Sequence, residues 1–229
     1  MKFSIIISTC NEGFQVASSL KRLRQISTQG PLEIIVVDGR SEDDTVAQAR
    51  PWADHVIVHE RANRGEQFHL GAQKASGDLL LFLGADAQLP GNWQQTLEHF
   101  WLTPNLHGVC ATAFTVDYGA SLTLRLAAFL ANASVRWRAR AGIQHGLCTT
   151  AEIYRSSGGF PPLPCLEDLV FCSRLRPLGR MVVLPDHIWP SVRRLHRYGI
   201  LGCVARHLWL ELRFRLGASP DAICRGHIG

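Results

Sequence analysis

The chain has 229 residues, 46% apolar and 19% charged, which suits one large domain with a buried core and excludes a disordered chain. No run of about 18 consecutive apolar residues occurs, and the apolar run near Leu122–Ala133 carries Arg125, which excludes a helical membrane span. The net charge of +5 falls in the tail, where seven arginines from Arg193 onward face two acids, while the residues before it are neutral.

Phe3–Ser8 is a continuous apolar run that reads as a first strand. No small-residue cleavage site follows it before Glu12, so it does not read as a leader, and a cytoplasmic protein is expected. Phe14–Ile26 puts Phe14, Val16, Ala17, Leu20, Leu23 and Ile26 on one helical stripe. Leu32–Val37 is a second strand ending at Asp38, and Ser41 with Glu42, Asp43 and Asp44 reads as the capped first turn of a helix. His55–Val58 is a third strand, Arg64–Ser76 a helix stopped by Gly77, and Leu79–Leu83 a fourth strand ending at Asp86. Apolar runs without alternation are what strands covered on both faces look like, so we expect an α/β fold, a mostly parallel sheet flanked by helices.

The second half is less regular. His107–Tyr118 reads as a long strand, Ser121 to Arg138 as a helix, Gly158 to Pro164 as a loop, Glu167–Leu178 as a helix, Met181–Leu184 as a short strand and Gly199–Leu216 as an amphipathic helix. The seven cysteines, odd in number and without a CxxC pair, fit reduced thiols. In the last helix Ile200, Leu201, Val204, Leu208, Leu212 and Leu216 share one face. Such a stripe is expected to dock on the domain's own core. The alternative is a peripheral contact of residues 193–216 with anionic lipid at the inner membrane face. No basic-aromatic motif of a nucleic-acid module is present, so nucleic acid is not an expected partner.

In a parallel sheet, ligands bind beyond the carboxyl ends of the strands. Thr9, Asn11 and Glu12, then Asp38, then Asp86 gather there. Such oxygens suit a sugar hydroxyl, a base edge or a divalent cation, Asp86 being placed for a hard metal, although an Asp after a strand also caps the next turn. Glu167 and Asp168 open a helix, where acids also answer the helix dipole, and a carboxylate there could take a proton from an incoming hydroxyl. Phosphate-cradling GxGxxG and GxxxxGK[ST] loops and a GxSxG elbow are absent.

The segments Ser4–Glu12, Glu33–Thr45, Gly77–Asp86 and Gly158-Gly159-Phe160 followed by Glu167-Asp168 resemble, in order and spacing, the family 2 glycosyltransferases. The tail, with Arg193-Arg194, is similar to a small stand-alone branch found beside radical-SAM proteins and labelled as arsenosugar-biosynthesis transferases. The resemblance implies a single GT-A domain over residues 1–229, with a donor half (1–90), an acceptor half (91–190) and a basic helical tail (191–229). It implies an inverting transfer of a sugar from a nucleotide-diphospho-sugar to an acceptor hydroxyl. Thr9, Asn11, Glu12, Asp38, Gln67, Ala85 and Asp86 would hold the donor, Asp86 would hold Mg²⁺ or Mn²⁺, and Asp168 would be the base with Glu167 as its neighbour. The chain departs from the family at Gly84, where the first acid of a DxD element would stand, at Cys10, at Glu66 and His69, and at Gln144-His145-Gly146. The alternative is a non-catalytic nucleotide-sugar-binding or scaffold protein with a degraded metal site.

Overall fold

Ile5-Ile6-Ile7 and Ile34-Ile35-Val36-Val37 are buried on both faces, because helices cover both sides of the sheet they form. The structure is a computed structural model that describes residues 1–103 and 108–219. The elements run β1 (Phe3–Thr9), α1 (Gly13–Ile26), β2 (Leu32–Asp38), α2 (Thr45–Ala49), β3 (His55–Val58), α3 (Arg64–Lys74), β4 (Leu79–Gly84), α4 (Trp93–Leu102), β5 (Val109–Val116), α5 (Leu122–Arg138), β6 (Leu147–Thr150), α6 (Ala151–Ser156), α7 (Glu167–Leu175), β7 (Arg180–Ile188) and α8 (Arg193–Arg215). The sheet order is β3-β2-β1-β4-β6-β5-β7, parallel except for β6, which runs antiparallel to both neighbours.

The chain leaves β1 toward β2 and β3, then returns to its other side at β4. That reversal creates a crevice between the carboxyl ends of β1 and β4. Register sets what meets there, since Thr9 lies opposite Asp38, and Ser8 opposite Gly84. One face of the sheet packs Phe3, Ile5 and Ile7 against α1 and α4, around Leu20 and Trp93. The other packs Ile6, Leu80 and Phe82 under α3 and α7. There Phe82, Phe160 and Phe171 interlock, with centroids 4.9 Å apart for Phe82–Phe160 and 4.1 Å for Phe160–Phe171.

The expected strands form, with three differences in the helices. Phe14 is exposed rather than on the buried stripe of α1. The acids 42–44 precede α2 instead of opening it, with Asp44 at its N-cap position and Asp43 accepting from the Gly13 N–H of α1. Residues 176–178 tighten into a 3₁₀ turn after α7. Elements α4, β6 and α6 were not anticipated, and β7 is nine residues long. His107, expected to start the fifth strand, lies outside the described residues, as do the last ten residues with Asp221 and Arg225. Cys10, Cys110, Cys148, Cys172 and Cys203 are free thiols, but Cys165 is disulfide-bonded, which corrects the expectation of reduced thiols throughout.

The last helix overturns the core-docking expectation. Leu210 is buried against Cys165 and Leu166, with Phe214 packed beside them, whereas Leu201, Leu208, Leu212 and Leu216 face outward. Gly199 (φ 65°) kinks α8. Among the described residues no helix is long and apolar enough to cross a membrane.

Candidate functional site

The loop after β1 is stapled to the loop after β2. The Asn11 N–H donates to Ser41 Oγ (2.8 Å), the Glu12 N–H to Thr45 Oγ1 (2.8 Å) and the Gly13 N–H to Asp43 Oδ2 (3.0 Å), while Asn11 Oδ1 accepts from the Glu42 N–H (2.9 Å). The N–H groups at the start of α1, orphaned by helix geometry, are thereby satisfied. Asn11 takes a left-handed conformation (φ 54°) that its short polar side chain tolerates.

Beneath this loop, three of the expected donor residues form a buried frame. Thr9 Oγ1 donates to Asp38 Oδ1 (2.9 Å), and Ser41 donates to Asp38 through its N–H (2.7 Å) and hydroxyl (2.6 Å). Gln67 Nε2 donates to the carbonyls of Thr9 (2.9 Å) and Val37 (2.8 Å), clamping the ends of β1 and β2. All three side chains are closed to solvent, Asp38 fully so. Thr9, Asp38 and Gln67 thus form the closed floor of the crevice, bonded to one another's side chains or backbone. Asn11, Glu12 and Asp86 remain accessible, and Ala85 contributes its backbone beside them.

Glu12 and Asp86 converge on one cation, the guanidinium of Arg193 at the start of α8. Arg193 Nη2 donates to Asp86 Oδ2 (2.7 Å) and to the Glu12 carboxylate (3.0 and 3.1 Å). Burial pushes the Glu12 carboxyl up, and its bonds to Arg193 oppose that rise only in part. Sequence reasoning placed Arg193 in the basic tail and in the branch resemblance, with no part in the site. Its signal was the Arg193-Arg194 pair placed just after a strand.

The second group lies around the start of α7. Glu167, 1% exposed, is ion-paired to Arg64 of α3 at 2.7 Å. Through this pair Glu167 ties α7 to α3. Asp168 beside it is partly exposed and is the accessible carboxylate of the two. It lies close enough to His145 to favour that imidazole's charged form, yet burial holds His145 down at about 4. The loop before α7 is fixed by Phe160 in the aromatic cluster and by Gly159, which packs against Tyr154 and His69. His69 Nδ1 lies 3.1 Å from the Tyr154 hydroxyl, and Glu66 pairs with Arg61 at 2.7 Å, so both departures have structural partners. His187, His196 and His207 are exposed. Among the described residues no group of three or more His, Cys, Asp or Glu comes together as a metal cage.

The donor chemistry nonetheless fits a hard cation. Two carboxylates aimed at one point hold a positive group there now, and Mg²⁺ is commonly bound by one or two carboxylates with substrate phosphates completing the shell.

The mostly parallel seven-stranded sheet flanked by helices is the architecture of the GT-A fold. The chain belongs to glycosyl transferase family 2, whose model matches residues 4–157. A PGL/p-HBAD biosynthesis glycosyltransferase of Mycobacterium bovis is 36% identical over 93 residues, 38% of this chain and 36% of the relative. An uncharacterized glycosyltransferase of Rickettsia conorii is 30% identical over 104 residues, 45% of this chain and 36% of the relative. The matches thus span little more than a third of these relatives' length.

Among solved structures, a mannosyltransferase from Pyrobaculum calidifontis in complex with GDP-Man and Mn²⁺ superposes with a TM-score of 0.71 at 18% identity, over 98% of this chain and 67% of that one. Glucosyl-3-phosphoglycerate synthase from Mycobacterium tuberculosis, in complex with Mn²⁺, uridine-diphosphate and glucosyl-3-phosphoglycerate, gives 0.66 at 20% identity, over 95% and 81%. At these identities the likeness shows the shared fold.

Proposed function

We propose that the chain is an inverting glycosyltransferase that moves a sugar from a nucleotide-diphospho-sugar to an acceptor hydroxyl. The observation that carries this reading is the convergence of Glu12 and Asp86 on one cationic group at the β1–β4 crevice. Family membership, the GDP-Man and Mn²⁺ complex of the one solved structure and the uridine-diphosphate and Mn²⁺ complex of the other support it. On this reading residues 1–90 form the donor half and 91–190 the acceptor half, and the tail places the chain in the small stand-alone branch it resembles.

Asn11 and the backbone at Ala85 would bound the nucleoside side, on the frame built by Thr9, Asp38 and Gln67. Asp86, faced by Glu12, would hold Mg²⁺ or Mn²⁺, which when bound offsets charge on the departing diphosphate. Arg193 would turn its guanidinium from the carboxylates to the diphosphate, a bidentate match of fork and anion. Asp168 would accept the proton of the acceptor hydroxyl as its oxygen attacks the anomeric carbon. The carbon–diphosphate bond breaks in line, its electron pair leaves with the diphosphate, and the proton ends on Asp168.

Calorimetric titration with uridine and guanosine diphosphates, with and without Mn²⁺, tests the donor half. Binding of one, strengthened by Mn²⁺ and weakened at least about tenfold in Asp86→Ala, is expected. Asp168→Asn should bind donor normally and lose about 10² to 10⁴ in turnover. A chain that binds nucleotide-sugar but shows no turnover for Asp168→Asn to remove is the scaffold reading instead.

A further inference from the structure

Helices α5 and α8 pack beside one another, joined by an Arg140–Glu211 ion pair at 2.9 Å, and each turns a large apolar stripe away from the domain. On α5 the stripe is Leu122, Leu126, Phe129, Leu130 and Trp137, at helical spacing on one face, with Leu122 83% and Trp137 79% exposed. The buried side of α5 is formed by Ala127, Ala128 and Val135, so the fold leaves its largest side chains unused. On α8 the stripe is Leu201, Leu208, Trp209, Leu212 and Leu216, opposite the buried Leu210. Soluble proteins rarely leave so many large apolar side chains exposed on two neighbouring helices without an occupant.

We propose that the outward faces of α5 and α8 form a docking surface for an anionic bilayer. Charge selects the occupant. Across the two helices the sequence sets nine arginines against one acid, and that acid, Glu211, is buried and paired with Arg140 and Arg215. A second copy seated on this face by a two-fold axis would bring arginine against arginine. Anionic headgroups meet the same arginines favourably, while Leu, Phe and Trp enter the acyl boundary, which is the composition of an interfacial helix. Neither helix can cross a bilayer, so the surface lies on it. Arg125 and Arg136 are exposed on α5 at the edge of its stripe, where headgroups would sit. The inference is independent of the transferase reading, since its test needs no donor or acceptor.

The test is flotation of the full chain with neutral phosphatidylcholine vesicles and with vesicles that also contain phosphatidylglycerol. The chain should float with the anionic vesicles, stay down with the neutral ones, and be released by salt. The triple substitution Leu201→Ser, Leu208→Ser, Leu212→Ser and, separately, the pair Arg125→Gln, Arg136→Gln should each weaken partitioning by about tenfold or more at an unchanged melting temperature. All five positions are exposed, and the pair lies on a different helix from the triple. A chain that stays down with anionic vesicles, or variants that float as well as the parent, overturn the proposal. A dimer in solution that both variants disperse, without flotation, assigns the face to a second copy and overturns it too.

Discussion

Arg193 Nη2 lies 2.7 Å from Asp86 Oδ2, so the first residue of the last helix neutralises the carboxylate that follows β4, 107 positions earlier in the chain. The same nitrogen is 3.0 Å from Glu12. On the proposed reading, a single guanidinium holds the place a divalent cation would take. At 54% side-chain exposure, each of its ion pairs is worth at most about 1 kcal/mol, so the hold is reversible. Arg193→Gln is expected to bind Mn²⁺ alone about fivefold more tightly, because the ion no longer displaces a competing cation. Uridine and guanosine diphosphates should bind the same variant more weakly. Calorimetry reads both, and loss of Mn²⁺ binding would show that Arg193 organises the carboxylates rather than competing for them.

Gly84 stands where a second metal carboxylate would be expected. A Cβ built there meets Asp86 Oδ1 at 3.4 Å, an ordinary van der Waals contact. Gly84→Asp should therefore fold and raise Mn²⁺ affinity by about tenfold, since ligand charge sets affinity for hard cations. A titration with Mn²⁺ at fixed pH checks it. Unchanged affinity would mean that Arg193 also neutralises the new acid.

The first half of the fold was legible because β1, β2 and β4 are continuous β-branched or leucine runs buried on both faces, a pattern with few other meanings. Elements β6 and α6 were not legible. Leu147–Thr150 is four residues long, carries no periodicity, and becomes a strand only by inserting antiparallel between β4 and β5. In α8 periodicity defined a stripe correctly but could not say which way it faces, and tertiary packing chose Leu210 and Phe214 instead. At the site, strand-end acids announced the crevice, yet sequence could not separate Glu167 from Asp168, neighbours about 100° apart around one helix. Nor could it see that Thr9, Asp38 and Gln67 bond one another, or that Arg193 returns across the whole chain.

The Gly158-Gly159-Phe160 segment makes a sharper prediction from two adjacent glycines. Both have positive φ, 75° and 65°. A Cβ on Gly159 would lie 2.7 Å from both His69 Nδ1 and the Tyr154 hydroxyl, whereas on Gly158 the nearest atom is Arg174 Nη1 at 3.8 Å. Gly158→Ala should cost about 1 kcal/mol, the left-handed strain alone. Gly159→Ala adds overpacking and should cost about 3 kcal/mol. It should also lower turnover, because the displaced loop leads through Phe160 to Asp168. Urea unfolding of the two variants gives the comparison, and equal costs would remove the close packing against Tyr154 from the account.

Stability at low pH isolates His145. Burial holds its imidazole at about 4, against an ordinary value near 6.5, so the folded chain keeps it neutral where the unfolded chain protonates it. Between about pH 6.5 and pH 4 the unfolded state thus binds more protons, and stability falls as pH falls through that window. The full stability is present above about pH 6.5, and the loss approaches about 3 kcal/mol at its acid end. His145→Gln removes the titrating group. Its urea-unfolding free energy should fall less than the parent's between neutral pH and about pH 4.5, by about 2 kcal/mol. Parallel acid losses in parent and variant would place the acid sensitivity in groups other than His145.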